Sequence, residues 1–180
     1  HLLKLILNKK YNPLFSSDAR YFVITGGRGS GKSFAVTVFL TLLTMSKGIR
    51  ILFTRFTMTS AHLSIIPEFL EKIGLLGFDE VFSINKKEVV NTKNNSDILF
   101  RGIRTSAGNQ TASLKSLQGI STWVLDEAEE LVDENIFDTI DLSIREKEIH
   151  NRVILILNPV TKEHWIYKRF FEDKGVEGGF

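Results

Sequence analysis

The sequence predicts an α/β fold in which a mostly parallel central sheet is flanked by helices and extended by antiparallel hairpins. Short, almost continuously apolar runs recur along the 180 residues, as is typical of parallel strands that are buried on both faces. A helical pattern separates the first two runs, and shorter β-type runs with polar turns follow in the middle of the chain. The four apolar runs lie at 21–25, 49–54, 121–125 and 152–157.

The first run leads directly into a glycine-rich segment and then into a helical pattern. This segment has the spacing G-x-x-x-x-G-K-[ST], which predicts a phosphate-binding loop when a strand precedes it and a helix follows. Glycines let convergent backbone N–H groups approach a polyphosphate, and the helix N-terminus adds partial positive charge. The alternative is a glycine-rich turn with a surface lysine, and the flanking pattern favours the loop. The predicted nucleotide-binding residues are Gly26, Gly27, Arg28, Gly29, Ser30, Gly31, Lys32 and Ser33.

Three side chains of this loop are expected to have separate tasks on a magnesium nucleotide. Lys32 is placed to reach the β and γ phosphates as a point charge, and the Ser33 hydroxyl is placed to bind the magnesium. Arg28 can neutralise the charge that develops on the transferred phosphoryl group. Weaker candidates for that task, each expected to be a surface or salt-bridged residue, are Arg55, Arg101 and Arg104.

The segment before the first strand is less informative. Residues 2–7 are apolar and are expected to form a strand or a helical turn. Tyr11 and Phe15 follow in a predicted loop, and packing is the preferred interpretation for both over stacking on a base.

Two helices and a strand are predicted after the phosphate loop. A helix is expected at 33–46, where apolar residues lie on almost every side and Gly48 marks the end. The strand at 49–54 follows. A second helical pattern covers 60–73, where Pro67 marks a kink or a break.

The middle of the chain predicts hairpins. Short β-type runs at 81–84, 88–91 and 97–103 are separated by polar turns, which indicates an antiparallel extension of the sheet. The segment 104–118 is rich in Ser, Thr, Asn and Gln and is too polar for a core element. We expect it to be a functional loop that faces the nucleotide or a partner.

The strand predicted at 121–125 ends in a cluster of carboxylates. A magnesium nucleotide site needs a carboxylate at the end of a strand beside the phosphate loop, and Asp126 is the predicted metal ligand. Glu127 is expected to orient the attacking water and to accept its proton. For Glu129 and Glu130 the preferred interpretation is the solvated face of an acidic helix start.

The last predicted strand, 152–157, ends at Asn158, on the edge where open α/β sheets bind ligands. The Asn158 amide could sense the γ phosphate or position the water, or it could be a plain turn amide before Pro159, and both interpretations stay open. Elsewhere, Asp133 is a candidate N-cap for a helix, and residues 165–171 predict an amphipathic helix.

Composition limits the class of protein. The net charge is only +2, so no global basic field indicates a nucleic-acid partner. The absence of cysteine excludes disulfides and thiolate metal sites, and the four histidines show no metal-binding spacing. No apolar run is long enough to cross a membrane, and we expect a soluble, cytosolic protein without a membrane partner.

Taken together, these residues resemble the ATPase domain of the large terminase subunit, the DNA-packaging motor of tailed bacteriophages and related viruses. The resemblance covers roughly residues 11–170 and is more specific than the phosphate loop alone. Its four parts, in chain order, are Arg20-Tyr21 with the phosphate loop, Lys115-Ser-Leu-Gln-Gly-Ile120, Trp123-Val-Leu-Asp-Glu-Ala-Glu129 and Leu157-Asn158-Pro159.

The resemblance implies a P-loop NTPase of the RecA-like, additional-strand, catalytic-glutamate class, with ATP and Mg²⁺ as its ligands. It implies that Arg28 acts on the γ phosphate beside Lys32, and that Glu127 is the catalytic carboxylate. It also implies that Asn158 belongs to the motif that couples hydrolysis to movement.

The resemblance further implies partners. Such subunits form a homo-oligomeric ring on the portal protein of an empty capsid in the host cell cytoplasm, work with a small terminase subunit, and translocate double-stranded DNA. Family members also carry a C-terminal nuclease domain of ribonuclease H type. Residues 1–180 stop before such a domain, so we expect a single ATPase domain that does not cut DNA.

Two other functions are compatible with the motifs. One is a helicase-like nucleic-acid motor, and the other is a nucleotide-binding switch or assembly module with little turnover. Filling of empty capsids with DNA separates the packaging motor from the first, and stimulation of ATPase activity by DNA separates it from the second.

Overall fold

The computed structural model describes residues 9–58 and 61–172, and it describes side chains throughout these ranges except at 61–64. The apolar segment predicted at 2–7 lies outside the described residues. No helix in the described part of the chain is long and apolar enough to cross a membrane.

In the described part of the chain, eight strands form one sheet. In chain order they are β1 (Tyr21–Thr25), β2 (Arg50–Thr57), β3 (Phe82–Ile84), β4 (Glu88–Asn91), β5 (Asp97–Thr105), β6 (Gly108–Asn109), β7 (Thr122–Leu125) and β8 (Arg152–Leu157). The spatial order is β1-β8-β7-β2-β5-β4-β3, with β6 paired to β5 outside this path. The first five strands of this order are parallel, and β3, β4 and β6 pair antiparallel, which confirms the predicted parallel sheet with a hairpin extension.

The α-helices are α1 (Pro13–Ser16), α2 (Lys32–Leu43), α3 (Ala61–Leu75), α4 (Thr111–Lys115) and α5 (Glu134–Asp141). Short 3₁₀ turns lie at Lys9–Tyr11 and Ala128–Glu130, and a π-helix spans Tyr167–Glu172. The helix α3 continues through Pro67, so this proline does not break it. Asp133 is the N-cap of α5 as predicted, and its side chain accepts a hydrogen bond from the backbone N–H of Asn135.

Helices cover both faces of the sheet because successive strand residues point to opposite sides. On β2, Ile51 belongs to a buried cluster that contains Phe39 of α2 and Phe69 of α3. Its neighbour Leu52 belongs to a second cluster on the other face, which contains Phe137 of α5. The central strands are therefore buried on both faces, as their apolar sequences predict.

Two predictions about individual segments were wrong. β1 was expected to be buried on both faces, but it pairs only with β8 among the described strands, and only Phe22 of its five residues is buried. The polar segment 104–118 was expected to be a loop, but it completes β5, forms β6 and contains α4, whose Leu114 is buried. A helix as short as α4 needs only one buried apolar residue, and β6 has too few residues to show an alternation of apolar and polar side chains. Neither element could therefore be predicted from the sequence pattern.

Candidate functional site

A cleft of about 420 Å³ opens at the edge of the sheet where the carboxyl ends of the parallel strands meet. Ligands of open α/β sheets bind at this edge. The cleft brings together the predicted phosphate loop, the predicted acidic strand end and Asn158. It adds two charged residues, Arg55, which was only a weaker candidate, and Glu129, which was assigned to a solvated face. Its lining residues are Gly27, Arg28, Gly29, Ser30, Gly31, Lys32, Ser33, Phe34, Arg55, Asp126, Glu127, Glu129, Ile156, Leu157 and Asn158.

The strand order positions the two halves of this site. β8 lies between β7, which leads into Asp126, and β1, which leads into the phosphate loop. This inserted strand is the arrangement that the additional-strand class implies. The register places Leu157 of β8 opposite Thr25 of β1, and Leu155 opposite Leu125 of β7. β1 and β8 therefore end at one level, and β7 ends two residues earlier, so that Asp126 and Glu127 continue towards the cleft.

The backbone of the phosphate loop requires glycine at its first and last turns. Gly26 has a φ of 152°, and a Cβ there would lie 2.9 Å from the Oγ of Ser30. Gly31 has a φ of 83° and starts α2, whose first turn has no side-chain cap. The uncapped N–H groups of this 12-residue helix point into the loop region, where an anion can accept from them.

Two side chains hold the loop in shape. The Lys32 ammonium donates to the carbonyl of Gly26 and, at 3.1 Å, to the carbonyl of Gly27. The Tyr11 hydroxyl donates to the carbonyl of Ser30 at 2.8 Å, and the Tyr11 ring is buried. Tyr11 therefore packs under the loop, in agreement with the preferred interpretation of this residue.

Asp126 is held in place by β2 as well as by its own strand. Thr54 and Leu125 are register partners, and the backbone N–H of Asp126 donates to the carbonyl of Thr54 at 2.9 Å. The buried Thr54 hydroxyl accepts from the indole of Trp123 at 2.9 Å, which fixes β2 against β7. This register brings the next residue of β2, Arg55, beside Asp126.

The carboxylate of Asp126 is buried and paired. Both the Nε and the Nη2 of Arg55 lie 2.9 Å from its Oδ2. The other oxygen, Oδ1, accepts from the backbone N–H of Glu127 at 3.0 Å. Arg55 is therefore a salt-bridged residue, as expected, but its partner is the predicted metal ligand.

Glu127 leaves the strand in an unusual conformation. Its φ of 51° is in the left-handed region, where non-glycine residues are uncommon and often functional. Burial raises the pKa of the Glu127 carboxyl above its ordinary value, Arg55 opposes this shift, and Asp126 adds to it. The side chain lines the cleft with Lys32, as a base acting on a bound phosphate must.

Asn158 contacts a carboxylate from the turn that follows β7. Its Nδ2 donates to Oε1 of Glu129 at 3.0 Å. The Oε2 of Glu129 is buried and has no hydrogen-bond partner in the described part of the chain. The solvated interpretation is therefore wrong for Glu129, while Glu130 is exposed as predicted. The 3₁₀ turn at Ala128–Glu130 folds Glu129 back over the sheet edge, which a helix starting at Asp126 would not do.

The donor set of the cleft fits magnesium bound with a nucleotide. Mg²⁺ usually takes one or two protein oxygens and keeps phosphate oxygens and waters. Ser33 supplies an exposed hydroxyl and Asp126 a carboxylate in the same cleft. Among the described residues, no group of three or more His, Cys, Asp or Glu side chains could hold a metal ion by itself. These side chains therefore do not indicate a metal site that forms without a nucleotide.

Other predicted residues lie at the rim or elsewhere. Arg28 is exposed on the cleft wall. Arg101 and Arg104 do not line the cleft, and neither does any residue of 104–118. Of the two expectations for this segment, that it faces the nucleotide was wrong, and that it faces a partner stays a prediction. β5 is separated from the phosphate-loop strand by three other strands.

Arg20 and Tyr21, which were part of the resemblance, have a structural role. The Arg20 guanidinium donates to the carboxylate of Asp141 at 2.7 Å, and the Tyr21 hydroxyl donates to the same carboxylate at 2.6 Å. Asp141 is buried at the end of α5. These bonds tie the phosphate-loop strand to the helix that covers it.

Comparison with known proteins decides the family. The sequence profile described as "Phage terminase large subunit" matches residues 18–177, which includes every strand of the sheet. The chain belongs to the phage terminase large subunit family. The predicted resemblance is thus confirmed.

Relatives of this terminase family chain include a curated one and two solved structures. The large subunit of the terminase of Bacillus phage SPP1 is 25% identical over 187 residues, covering 93% of this chain and 43% of that protein. The chain therefore spans less than half the length of this relative. The large terminase of a thermophilic bacteriophage in complex with ATP-γ-S has a TM-score of 0.71 at 10% identity, covering 94% of this chain and 42% of that one. The bacteriophage phi29 genome packaging motor assembly has a TM-score of 0.66 at 17% identity, covering 91% and 50%.

The solved structures show that the terminase family chain shares their fold. The predicted P-loop fold with a mostly parallel sheet is confirmed by this likeness and by the strand order.

Proposed function

We propose that this chain is the ATPase part of a viral DNA-packaging motor, which hydrolyses ATP with magnesium to translocate double-stranded DNA into a procapsid. One observation carries the proposal: Lys32 of the phosphate loop and the raised-pKa carboxylate Glu127 line a single cleft. The relative from a thermophilic bacteriophage, whose structure was solved with ATP-γ-S, supports the choice of nucleotide.

The phosphate loop binds the polyphosphate. Its backbone N–H groups and the uncapped start of α2 supply fixed partial positive charge, and Lys32 adds a full charge at the mouth of the loop. Lys32 exchanges its bonds to the loop carbonyls of Gly26 and Gly27 for bonds to phosphate oxygens. A charge-assisted bond to phosphate is stronger than a bond to a neutral carbonyl, which favours this exchange.

Ser33 and Asp126 hold the magnesium. When bound, the metal would neutralise charge on the transferred phosphoryl group. Glu127 orients the attacking water and accepts its proton, and its raised pKa keeps it a stronger base than an ordinary glutamate. Arg28, exposed on the wall of the cleft, approaches the γ phosphate. Asn158 senses whether that phosphate is present and couples hydrolysis to movement.

The partners follow from the family and from its assemblies. The phi29 motor assembly supports a multisubunit packaging complex. We propose that this chain forms a homo-oligomeric ring on the portal protein, takes DNA from a small terminase subunit, and acts in the host cell cytoplasm. We propose a single ATPase domain for this chain and assign it ATP hydrolysis without DNA cutting.

A steady-state ATPase assay with and without double-stranded DNA tests this function. The motor is expected to release phosphate slowly alone and several times faster with DNA. A nucleotide-binding switch would show little turnover and no DNA stimulation. If stimulation is found, filling of purified empty capsids with DNA separates a packaging motor from a helicase-like motor, since a helicase would leave the capsids empty.

A further inference from the structure

β2 carries an arginine near each end, and each pairs with an aspartate of a neighbouring strand. Near the amino end, Arg50 bonds both oxygens of Asp97, with Nε–Oδ1 and Nη2–Oδ2 distances of 3.1 and 3.0 Å. Near the carboxyl end, Arg55 bonds Oδ2 of Asp126 with two nitrogens, each at 2.9 Å. The second pair lies in the cleft and the first does not.

The two pairs differ in whether a metal ion also requires the aspartate. Asp97 has no role in the cleft. Asp126 is the carboxylate that the magnesium of the proposed function requires, yet its Oδ2 is engaged by Arg55 and its Oδ1 by the N–H of Glu127. The side chain of Asp126 is 10% exposed and that of Arg55 is 21% exposed, so water screens this pair less than a surface pair. A divalent cation that approaches Asp126 must compete with a guanidinium that is already there.

We propose that Arg55 is an internal counter-ion that occupies Asp126 until a metal nucleotide displaces it, and so weakens the binding of free divalent cations. This inference rests on the proposed magnesium nucleotide site. Arg55 acts through Asp126 and is a positioning residue. After displacement, the Arg55 guanidinium still lines the same cleft, in which the phosphate loop binds anionic groups.

The arrangement couples metal and nucleotide. Without nucleotide, the protein offers a divalent cation the Asp126 carboxylate, which Arg55 already neutralises, and the Ser33 hydroxyl. The affinity of the protein for the free cation is therefore low. With nucleotide, phosphate oxygens supply further ligands to the metal and an alternative anion for Arg55. Because coupling between two ligands is reciprocal, the metal must tighten nucleotide binding by the same factor.

Binding of Mn²⁺ to the nucleotide-free protein, measured by electron paramagnetic resonance, tests the inference without using activity. Arg55→Met removes the counter-ion and is expected to tighten Mn²⁺ binding about tenfold. Arg55→Lys keeps the charge but loses the two-nitrogen contact, and an intermediate affinity is expected. Arg50→Met is the matched control, because it breaks the other arginine pair of β2 outside the cleft, and it should leave Mn²⁺ affinity unchanged.

Wild-type Mn²⁺ affinity in both Arg55 variants, with circular dichroism showing them folded, overturns the inference. An equal gain in Arg50→Met also overturns it, since the effect would then be general. Arg55→Lys keeps the test valid if Arg55→Met does not fold. Wild-type protein with ADP is measured in parallel: a failure to bind Mn²⁺ there would contradict the proposed magnesium nucleotide site itself, whereas normal binding without an Arg55 effect contradicts the counter-ion alone.

Discussion

The amide of Asn158 donates a 3.0 Å hydrogen bond to the carboxylate of Glu129, which joins the tip of β8 to the turn that follows β7. The two residues are 29 positions apart in the sequence, yet both line the nucleotide cleft. The segment after β8 also contacts this turn. A ring nitrogen of His164 lies 3.0 Å from the Glu129 carbonyl, and the Trp165 indole donates to the Leu131 carbonyl at 2.6 Å. A change at Asn158 therefore reaches the turn after β7 through a direct contact, and reaches His164 and Trp165 only through that turn.

Replacing Asn158 by alanine is expected to destabilise the protein by about 1 kcal/mol, because the half-buried Glu129 carboxylate loses a donor. Adding Glu129→Ala is expected to cost little more, since the carboxylate that needed the donor is gone. Urea denaturation of the two single variants, the double variant and the wild type gives the coupling energy. Strictly additive losses would contradict a direct interaction between these side chains.

The parts of the site that could be predicted from the sequence are contiguous along the chain. Gly26 to Ser33 form a loop whose glycines, and whose flanking strand and helix, are contiguous in the sequence, so the motif and its neighbours are enough to predict it. Asp126 and Glu127 were predicted because they directly follow an apolar strand. In both places the local sequence determines the local geometry.

The parts that could not be predicted depend on which strands become neighbours. Arg55 looks like an ordinary strand-end residue until the register of β2 and β7 places it against Asp126. Glu129 looks solvated until the turn after β7 brings it to Asn158. The order of β1, β8 and β7 is likewise a matter of long-range pairing, which apolar content does not encode.

Lys32→Ala is expected to weaken ATP binding by at least about tenfold, because the loop loses its full positive charge. Stability should change little, since among the described residues the lysine bonds to loop carbonyls and to Ser30, all within the loop itself. Isothermal titration with ATP and Mg²⁺ measures the affinity. Lys47→Ala, an exposed lysine just beyond the far end of α2, is the matched control, and equal affinities for the two variants would remove the phosphate-loop assignment.

Gly26→Ala is expected to weaken ATP binding, because the new Cβ would lie 2.9 Å from Ser30 Oγ and 3.2 Å from Ser30 Cβ, and because a φ of 152° is unfavourable for any side chain. Gly48→Ala is the control, since Gly48 also has a positive φ, of 79°, but a Cβ there meets open space away from the cleft. Each variant should lose about 1 kcal/mol of stability from its backbone conformation. Only the first should lose affinity, and intact ATP binding in Gly26→Ala would show that the loop shape seen here is not needed.

Glu127→Gln is expected to bind ATP as well as the wild type does and to lose turnover by a factor of about 10² or more, because the amide cannot accept the proton of water. Phosphate release and ATP affinity are measured on the same preparation. The exposed neighbour Glu130, changed to Gln, should retain full turnover. Normal turnover in Glu127→Gln would overthrow the assignment of the base.

The most direct test of the account is an experimental structure of the wild-type protein with ATP-γ-S and Mg²⁺. We expect the triphosphate in the cleft, the metal between the Ser33 hydroxyl and the Asp126 carboxylate, and Glu127 facing the γ phosphate. A nucleotide bound elsewhere, or a metal far from both Ser33 and Asp126, would contradict the proposed catalytic site.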